Sequence, residues 1–137
     1  MPLMTFSLDY WCVLVAALLP VVCAGIAKSN LFGKPGDQGS YDNANPRAWL
    51  LAQSDWRARA NAAQANSFEA LPFFIAAVLI AHQLGADQAR LDALAVAYIG
   101  LRIIYVAAYV GNRAMLRSLV WVGALGVNMA ILFAGYR

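Results

Sequence analysis

Three polar side chains that could hold a charged ligand lie on one face of a predicted helix. Arg59, Asn66 and Glu69 are spaced by seven and three residues, which places them on a helical stripe about 15 Å long. A cation, an amide and a carboxylate in this arrangement could bind a small zwitterionic or anionic molecule. Ionisable groups inside apolar helices are costly in lipid and are therefore candidates for function.

A second polar stripe follows a 4,3,4,3 spacing and consists of Tyr98, Arg102, Tyr105, Tyr109 and Asn112. Glu69 and Arg102 lie at comparable depth, about 10–14 Å of helix rise from the ends of their helices, so we predict an ion pair between them. The two stripes are expected to face each other or a shared cavity. The competing interpretation is that the set only fixes helix register and fills the core.

The composition places both stripes in a membrane protein. The 137 residues are 62% hydrophobic and 12% charged, whereas soluble domains average about 45–50% and about 25%. Four apolar stretches approach or reach the roughly 20 residues that a helix needs to cross a bilayer. They lack the period-2 alternation of a membrane β-barrel.

We therefore predict one all-α domain over residues 1–137, an integral membrane four-helix bundle of up-down topology. Its helices are expected over about residues 7–28, 56–84, 88–111 and 115–135, with a cytoplasmic loop over about 29–55. That loop should contain a turn at Gly33–Asp37 and a short helix that begins at Pro46. No Lys or Arg precedes Lys28, so the first segment lacks the basic region of a signal peptide and is expected to be retained.

Basic residues concentrate in the first and third loops, which carry Lys28, Lys34, Arg47, Arg113 and Arg117. The positive-inside rule places these loops in the cytoplasm and both termini outside. This asymmetry accounts for the net charge of +3. No basic run interleaved with aromatics indicates a nucleic-acid partner, and two cysteines with a single histidine do not form a metal-binding pattern.

Two motifs carry a family resemblance. The segment Asn66–Pro72, with Arg59 upstream, resembles the second-helix motif of the MAPEG family, the membrane-associated proteins in eicosanoid and glutathione metabolism. The segment Arg102–Tyr109, followed by Arg117-Ser118, is similar to that family's second motif. The resemblance extends over the four-helix layout and nearly the whole chain. It implies a bacterial member, in the inner membrane, that assembles as a homotrimer.

The resemblance implies a glutathione site between subunits of the trimer. The residues that would bind glutathione are Arg59, Asn66, Glu69, Arg102, Tyr105 and Tyr109. Among them Asn66 and Glu69 would contact its polar groups, and Arg102 would organise Glu69 and the ligand.

The resemblance also implies a set of catalytic residues, Arg117, Ser118 and Tyr109. Arg117 would stabilise the glutathione thiolate, with Ser118 beside it and Tyr109 near the thiol. A neighbouring cation lowers a thiol's pKa, and the thiolate is the reactive nucleophile.

Three classes of function remain open on these residues. The first is a glutathione-dependent transferase or peroxidase that acts on hydrophobic electrophiles delivered through the lipid. The second is a non-catalytic lipid-binding or scaffold protein of the same fold, which is favoured by Ala62, because relatives that use glutathione carry arginine at that position. The third is a small proton-coupled exporter, which is disfavoured because Arg102 would neutralise Glu69.

Overall fold

The computed structural model describes residues 5–29 and 41–137 as a bundle of four long helices and one short one. The helices are α1 (Leu8–Lys28), α2 (Pro46–Leu51), α3 (Asp55–Gln83), α4 (Gln88–Val110) and α5 (Ala114–Leu132). All except α2 are long and apolar enough to cross a membrane. The predicted all-α architecture with four spanning helices is confirmed. The turn predicted at Gly33–Asp37, and Lys34 with it, lie outside the described residues.

Local sequence explains where the helices begin and end. Pro46 occupies the first turn of α2, where its missing N–H costs no hydrogen bond. Gly85, with a φ of 71°, follows the end of α3, and Asn112, with a φ of 58°, forms the turn between α4 and α5. Glycine and asparagine tolerate this left-handed conformation best, so the two tight connections are made where the residues allow them.

The spanning helices pack as two antiparallel pairs, α1 against α3 and α4 against α5, and the pairs are joined by contacts of α3 with α4 and α5 and of α1 with α4. Small residues dominate the buried helix contacts: Ala63, Ala77, Ala81 and Ala95 have no exposed surface. Their size lets the helix backbones approach closely, which is how helices associate in lipid. Large apolar side chains such as Trp11, Leu18 and Val122 face outward, as expected of a surface in contact with acyl chains.

A cluster of polar side chains joins three helices at the end of the bundle where α1 begins. Asp9 has no exposed surface, and its carboxylate contacts His82 Nε2 at the end of α3. The same carboxylate accepts hydrogen bonds from Ser7 Oγ and from Gln88 Nε2, the latter at 3.1 Å. Asp92 Oδ1 completes the cluster by accepting the Asp9 backbone N–H at 3.1 Å. Asp9 therefore serves as a common acceptor that ties α1 to α3 and α4.

Two arginines close the opposite end of the bundle by donating to backbone carbonyls. Arg57 Nη1 donates to the carbonyls of Ala27 and Ser29 at 2.9 and 2.8 Å. Arg59 Nε donates to the carbonyl of Val110 at 3.1 Å. The last carbonyls of a helix lack intrahelical donors, so these guanidinium groups satisfy the ends of α1 and α4 from the first turns of α3.

We expect Asp9→Ala to lower the free energy of unfolding by about 3 kcal/mol, because it removes the buried acceptor of His82 Nε2 and leaves Gln88 Nε2 with Asp92 alone. Reversible unfolding in mixed detergent micelles measures this quantity. The matched control is Asp87→Ala, which removes an exposed carboxylate that caps α4 by accepting the Arg90 N–H. Loss of such a cap costs about 1 kcal/mol. Equal destabilisation by the two substitutions would contradict a structural role for the buried cluster.

Candidate functional site

Residues from both polar stripes line one cavity between α3, α4 and α5, here called the Arg102 cavity. Its volume is about 180 Å³. The polar lining consists of Asn66 and Glu69 from α3, Tyr98 and Arg102 from α4, and Asn128 from α5; the rest is Ala70, Phe73, Trp121, Ala124 and Leu125. The heptad-like spacing on α3 and α4 turns these polar faces toward the same space.

Arg102 is the buried charge of this cavity, with only 3% of its surface exposed. Its Nη2 donates to Asn66 Oδ1 at 2.8 Å, and its guanidinium carbon lies 4.3 Å from the centre of the Tyr105 ring. A hydrogen bond to a neutral amide and a cation–π contact thus compensate for the water that the guanidinium has lost.

The predicted ion pair between Glu69 and Arg102 is wrong for the single chain. Among the residues that the structure describes, Asp9 and His82 form the one acid–base contact within 4.0 Å. Arg102 instead donates to Asn66, which lies one turn before Glu69 on α3. Its guanidinium also packs against the Tyr105 ring and not against the Glu69 carboxylate. Glu69 is exposed and accepts no hydrogen bond from another described residue. Its carboxylate therefore remains available to a donor from outside the chain.

A second cavity of about 320 Å³, here called the Arg117 cavity, lies between α4 and α5. It is lined by Tyr105, Tyr109, Arg117, Ser118, Trp121 and Val122. Trp121 lines both cavities, so they adjoin each other. The volume is at the lower end of the about 300–1,000 Å³ typical of small-molecule sites.

Aromatic rings connect the two arginines of these cavities. The Tyr105 and Tyr109 rings meet edge to face, with their centres 5.7 Å apart. The guanidinium carbon of Arg117 lies 4.5 Å from the centre of the Tyr109 ring. Arg102, Tyr105, Tyr109 and Arg117 therefore form a continuous series of cation–ring and ring–ring contacts. The rings fix the two cations in place without neutralising their charge.

Together the two cavities present two guanidinium groups, one carboxylate and three phenols. Such a set complements a molecule that carries a carboxylate at one point and an ammonium at another, because Glu69 can accept from the ammonium while the arginines bind the carboxylate. A thiol held beside Arg117 would be more acidic than usual, since a nearby cation favours the thiolate. The arrangement suits binding and activation of a small anionic thiol.

Arg59 lies apart from the other predicted site residues. It lines neither of these two cavities, and its Nε is engaged by the carbonyl of Val110 at the end of α4. Its position on the helical stripe is as predicted, but its long side chain turns toward the C-terminus of α4. The role of Arg59 in ligand binding stays a prediction.

Sequence reasoning placed no site residue on α5 beyond its first turn, although Trp121 and Asn128 line the Arg102 cavity. A usable signal was present. Ser118, Trp121, Leu125 and Asn128 follow a 3,4,3 spacing, the same kind of stripe that identified the polar faces of α3 and α4. Leu125 interrupts its polar character, so the spacing alone does not distinguish this stripe from an apolar face.

Comparison with known proteins identifies one family. The sequence model of the MAPEG family matches residues 8–136. Neither the comparison with curated proteins nor that with solved structures found a match.

We expect Asn66→Leu to lower the free energy of unfolding by about 1–3 kcal/mol, because it removes the one hydrogen bond from the buried Arg102 to another described residue. The control is Asn61→Leu, at a half-buried position of α3 whose side chain makes no hydrogen bond within the described chain. That substitution should change stability by about 0.5 kcal/mol or less. Thermal unfolding in detergent, followed by tryptophan fluorescence, compares the two. If Asn66→Leu proved as mild as its control, the compensation of Arg102 by Asn66 would be refuted.

Proposed function

We propose, from the premise that this chain belongs to the MAPEG family, that it is a glutathione-dependent transferase or peroxidase acting on hydrophobic electrophiles. The family includes membrane enzymes of both kinds, and the chain is an integral membrane protein by its four apolar helices and by its family. The observation that carries the proposal is the convergence of Asn66, Glu69 and Arg102 on one cavity at membrane depth.

The charges of glutathione suit this lining. Glu69, whose carboxylate accepts no hydrogen bond from a described residue, would accept from the ammonium group. Arg102 and Asn66 would bind a carboxylate and a peptide group. Arg117, in the adjoining cavity, would stabilise the thiolate, with Tyr109 and Ser118 beside it. The three charged groups among them, Glu69, Arg102 and Arg117, form no ion pair with a described residue.

A hydrophobic second substrate would reach this site through the lipid. Trp121 and Leu125 line the Arg102 cavity and are 41% and 37% exposed on the outer surface of the chain. An apolar molecule dissolved in the acyl chains can therefore approach the cavity without crossing water. Conjugation, isomerisation and peroxide reduction all begin with the same activated thiol, so the lining does not select among them.

A homotrimer would complete the site. Glu69 is exposed in the single chain although it lines a cavity, and a neighbouring subunit would cover it. Such a neighbour would also shield the exposed carboxylate from lipid, whose contact with a charge is costly. Light scattering of the protein–detergent complex gives the subunit number, and a monomer would refute the assembly.

The distribution of charge supports an orientation in a bacterial inner membrane with loops one and three in the cytoplasm. Lys28, Arg57, Arg59, Arg113 and Arg117 lie at one end of the bundle, whereas Arg90 and Arg137 are the basic residues described at the other. By the positive-inside rule both termini would lie outside. Labelling of single cysteines introduced at Arg90 and Arg113 in intact cells tests this, because the reverse pattern of access would invert the topology.

A non-catalytic lipid-binding protein is the second candidate. It is favoured by an almost wholly apolar groove of about 620 Å³ between α1 and α4, lined by residues that include Leu19, Val22, Ile103 and Val106. An acyl chain matches such a lining. Ala62, at a position where glutathione-using relatives carry arginine, points the same way. An exporter is a poorer candidate. The chain lacks the Glu69–Arg102 ion pair that would have argued against it, but membership of the MAPEG family argues against it instead.

We expect calorimetric titration of the detergent-purified protein with glutathione to show saturable binding, which Glu69→Gln weakens about 10- to 100-fold. The substitution keeps the shape of the side chain but removes the charge that would bind the ammonium. Asp42→Asn, at an exposed carboxylate outside the long helices, is the matched control and should bind as the parent does. Absence of binding at millimolar glutathione, with lipid retained in the purified protein, would favour the non-catalytic candidate.

We expect Ala62→Arg to tighten glutathione binding about tenfold, because it restores a cation one helical turn before Asn66. Ala44→Arg is the control, since Ala44 is exposed and lies before α2, away from the stripe on α3. It adds the same charge without directing it along the stripe. If both substitutions raised the affinity equally, the gain would reflect net charge alone, and the placement of glutathione along this stripe would be contradicted.

A further inference from the structure

Asn128 is a buried polar side chain that no other described residue satisfies. It lies on α5, four residues before the end of that helix, and only 3% of its surface is exposed. Its Oδ1 is buried and has no hydrogen-bond partner. The side chain lines the Arg102 cavity, so a small molecule held in that cavity would lie beside the amide.

An unsatisfied amide at this depth is costly. Burying an amide without a hydrogen bond costs roughly 1–3 kcal/mol by the measure of protein substitutions, and lipid provides no water to relieve it. Leucine, of nearly the same size, would fill the position without that cost. Native proteins pair the large majority of their buried polar atoms. The retained asparagine therefore indicates a partner that binds from the cavity.

The position of Asn128 defines one end of a longer site. Ten residues of α5 separate Ser118, in the Arg117 cavity, from Asn128, which corresponds to about 15 Å of helix rise. Trp121 lies between them and lines both cavities. Phe73 of α3 adds a further apolar surface to the Arg102 cavity. The combined space thus runs from a cationic end, past aromatic rings, to a single unpaired amide.

We propose that Asn128 binds a hydroxyl or amide N–H group of the hydrophobic substrate, whose apolar body lies against Phe73 and Trp121. The substrate class is then a compact apolar molecule that carries one hydrogen-bond donor. This inference rests on the proposed function for one point, namely that the cavity is a substrate site. The binding step itself involves Asn128 and the small molecule, and it requires no glutathione.

The unpaired atom determines which kind of group is selected. Oδ1 is an acceptor, so it is satisfied by a donor and not by an ether or ketone oxygen. A site whose buried polar atom needs a hydrogen bond discriminates against analogues that lack the matching group, because they leave that atom unpaired. Asn128 would therefore act as a specificity-determining binding residue, distinct from the groups that activate the thiol.

A matched pair of probes tests the proposal without any reaction. 4-Nitrobenzyl alcohol carries a donor, and 4-nitrobenzyl methyl ether has the same aromatic body with the donor blocked. Both nitroaromatics should quench the fluorescence of Trp121, and Trp121→Phe identifies that part of the signal among the four tryptophans. We expect the parent protein to bind the alcohol about tenfold more tightly than the ether, after correction for partition into micelles.

Asn128→Leu should abolish this preference by binding both probes alike, and its thermal stability should equal or exceed that of the parent. Asn128→Ala provides a second variant with the same expected loss of preference. Met129→Leu, at the neighbouring lipid-exposed position, is the control and should keep the parent's preference. Equal affinity of the parent for alcohol and ether, or a preference that persists in both Asn128 variants, overturns the proposal.

Glutathione titration of the same samples separates this inference from the proposed function. Suppose that the preference for the alcohol depends on Asn128 but the protein binds no glutathione. This result supports the role of Asn128 in binding a donor group and refutes the glutathione-dependent enzyme. Glutathione binding in a protein that shows no such preference refutes only the role of Asn128 in binding a donor group.

Discussion

The arrangement of this bundle depends on the burial of one guanidinium at membrane depth. In lipid, the protein must supply the partners that water would otherwise provide. Asn66 supplies a neutral partner, since its amide oxygen accepts a hydrogen bond from Arg102, and the Tyr105 ring faces the remaining positive charge. Because Asn66 belongs to α3 and Arg102 to α4, the contact also fixes which faces of these helices meet. The cavity beside them results from the way in which these two helix faces meet.

The two ends of the bundle are held by different means. Asp9 and His82 join α1 to α3 at one end, and Arg57 caps the carbonyls of α1 at the other. Between these ends, alanines such as Ala77 and Ala95 bring the helix backbones together beside larger buried side chains such as Phe74. The arginines are thereby sorted into two groups. Those at the start of α3 satisfy helix termini, whereas Arg102 and Arg117 lie against aromatic rings beside cavities.

Composition and the length of apolar runs were sufficient to predict the four spanning helices, because lipid imposes both. Helical spacing was also sufficient to direct Asn66, Glu69 and Arg102 toward a common space. Spacing does not specify the rotation of a helix or the rotamer of a long side chain. It therefore could not show that Arg102 would donate a hydrogen bond to Asn66 and not to Glu69. Asp9 and Asn128 are single polar residues in otherwise apolar segments, and their importance becomes visible only when neighbouring helices enclose them.

The absence of the predicted ion pair changes what the cavity can bind. Had Glu69 and Arg102 neutralised each other, Arg117 would have been the one uncompensated charge in the lining of the two cavities. Instead, Arg102 is compensated by neutral groups, and Glu69 accepts no hydrogen bond from a described residue. Both charges are then available to a ligand that carries the opposite charges at two points, which describes a zwitterionic peptide better than an acyl chain. An arginine at position 62 would strengthen this complementarity, but the charges that create it are already present in Glu69, Arg102 and Arg117.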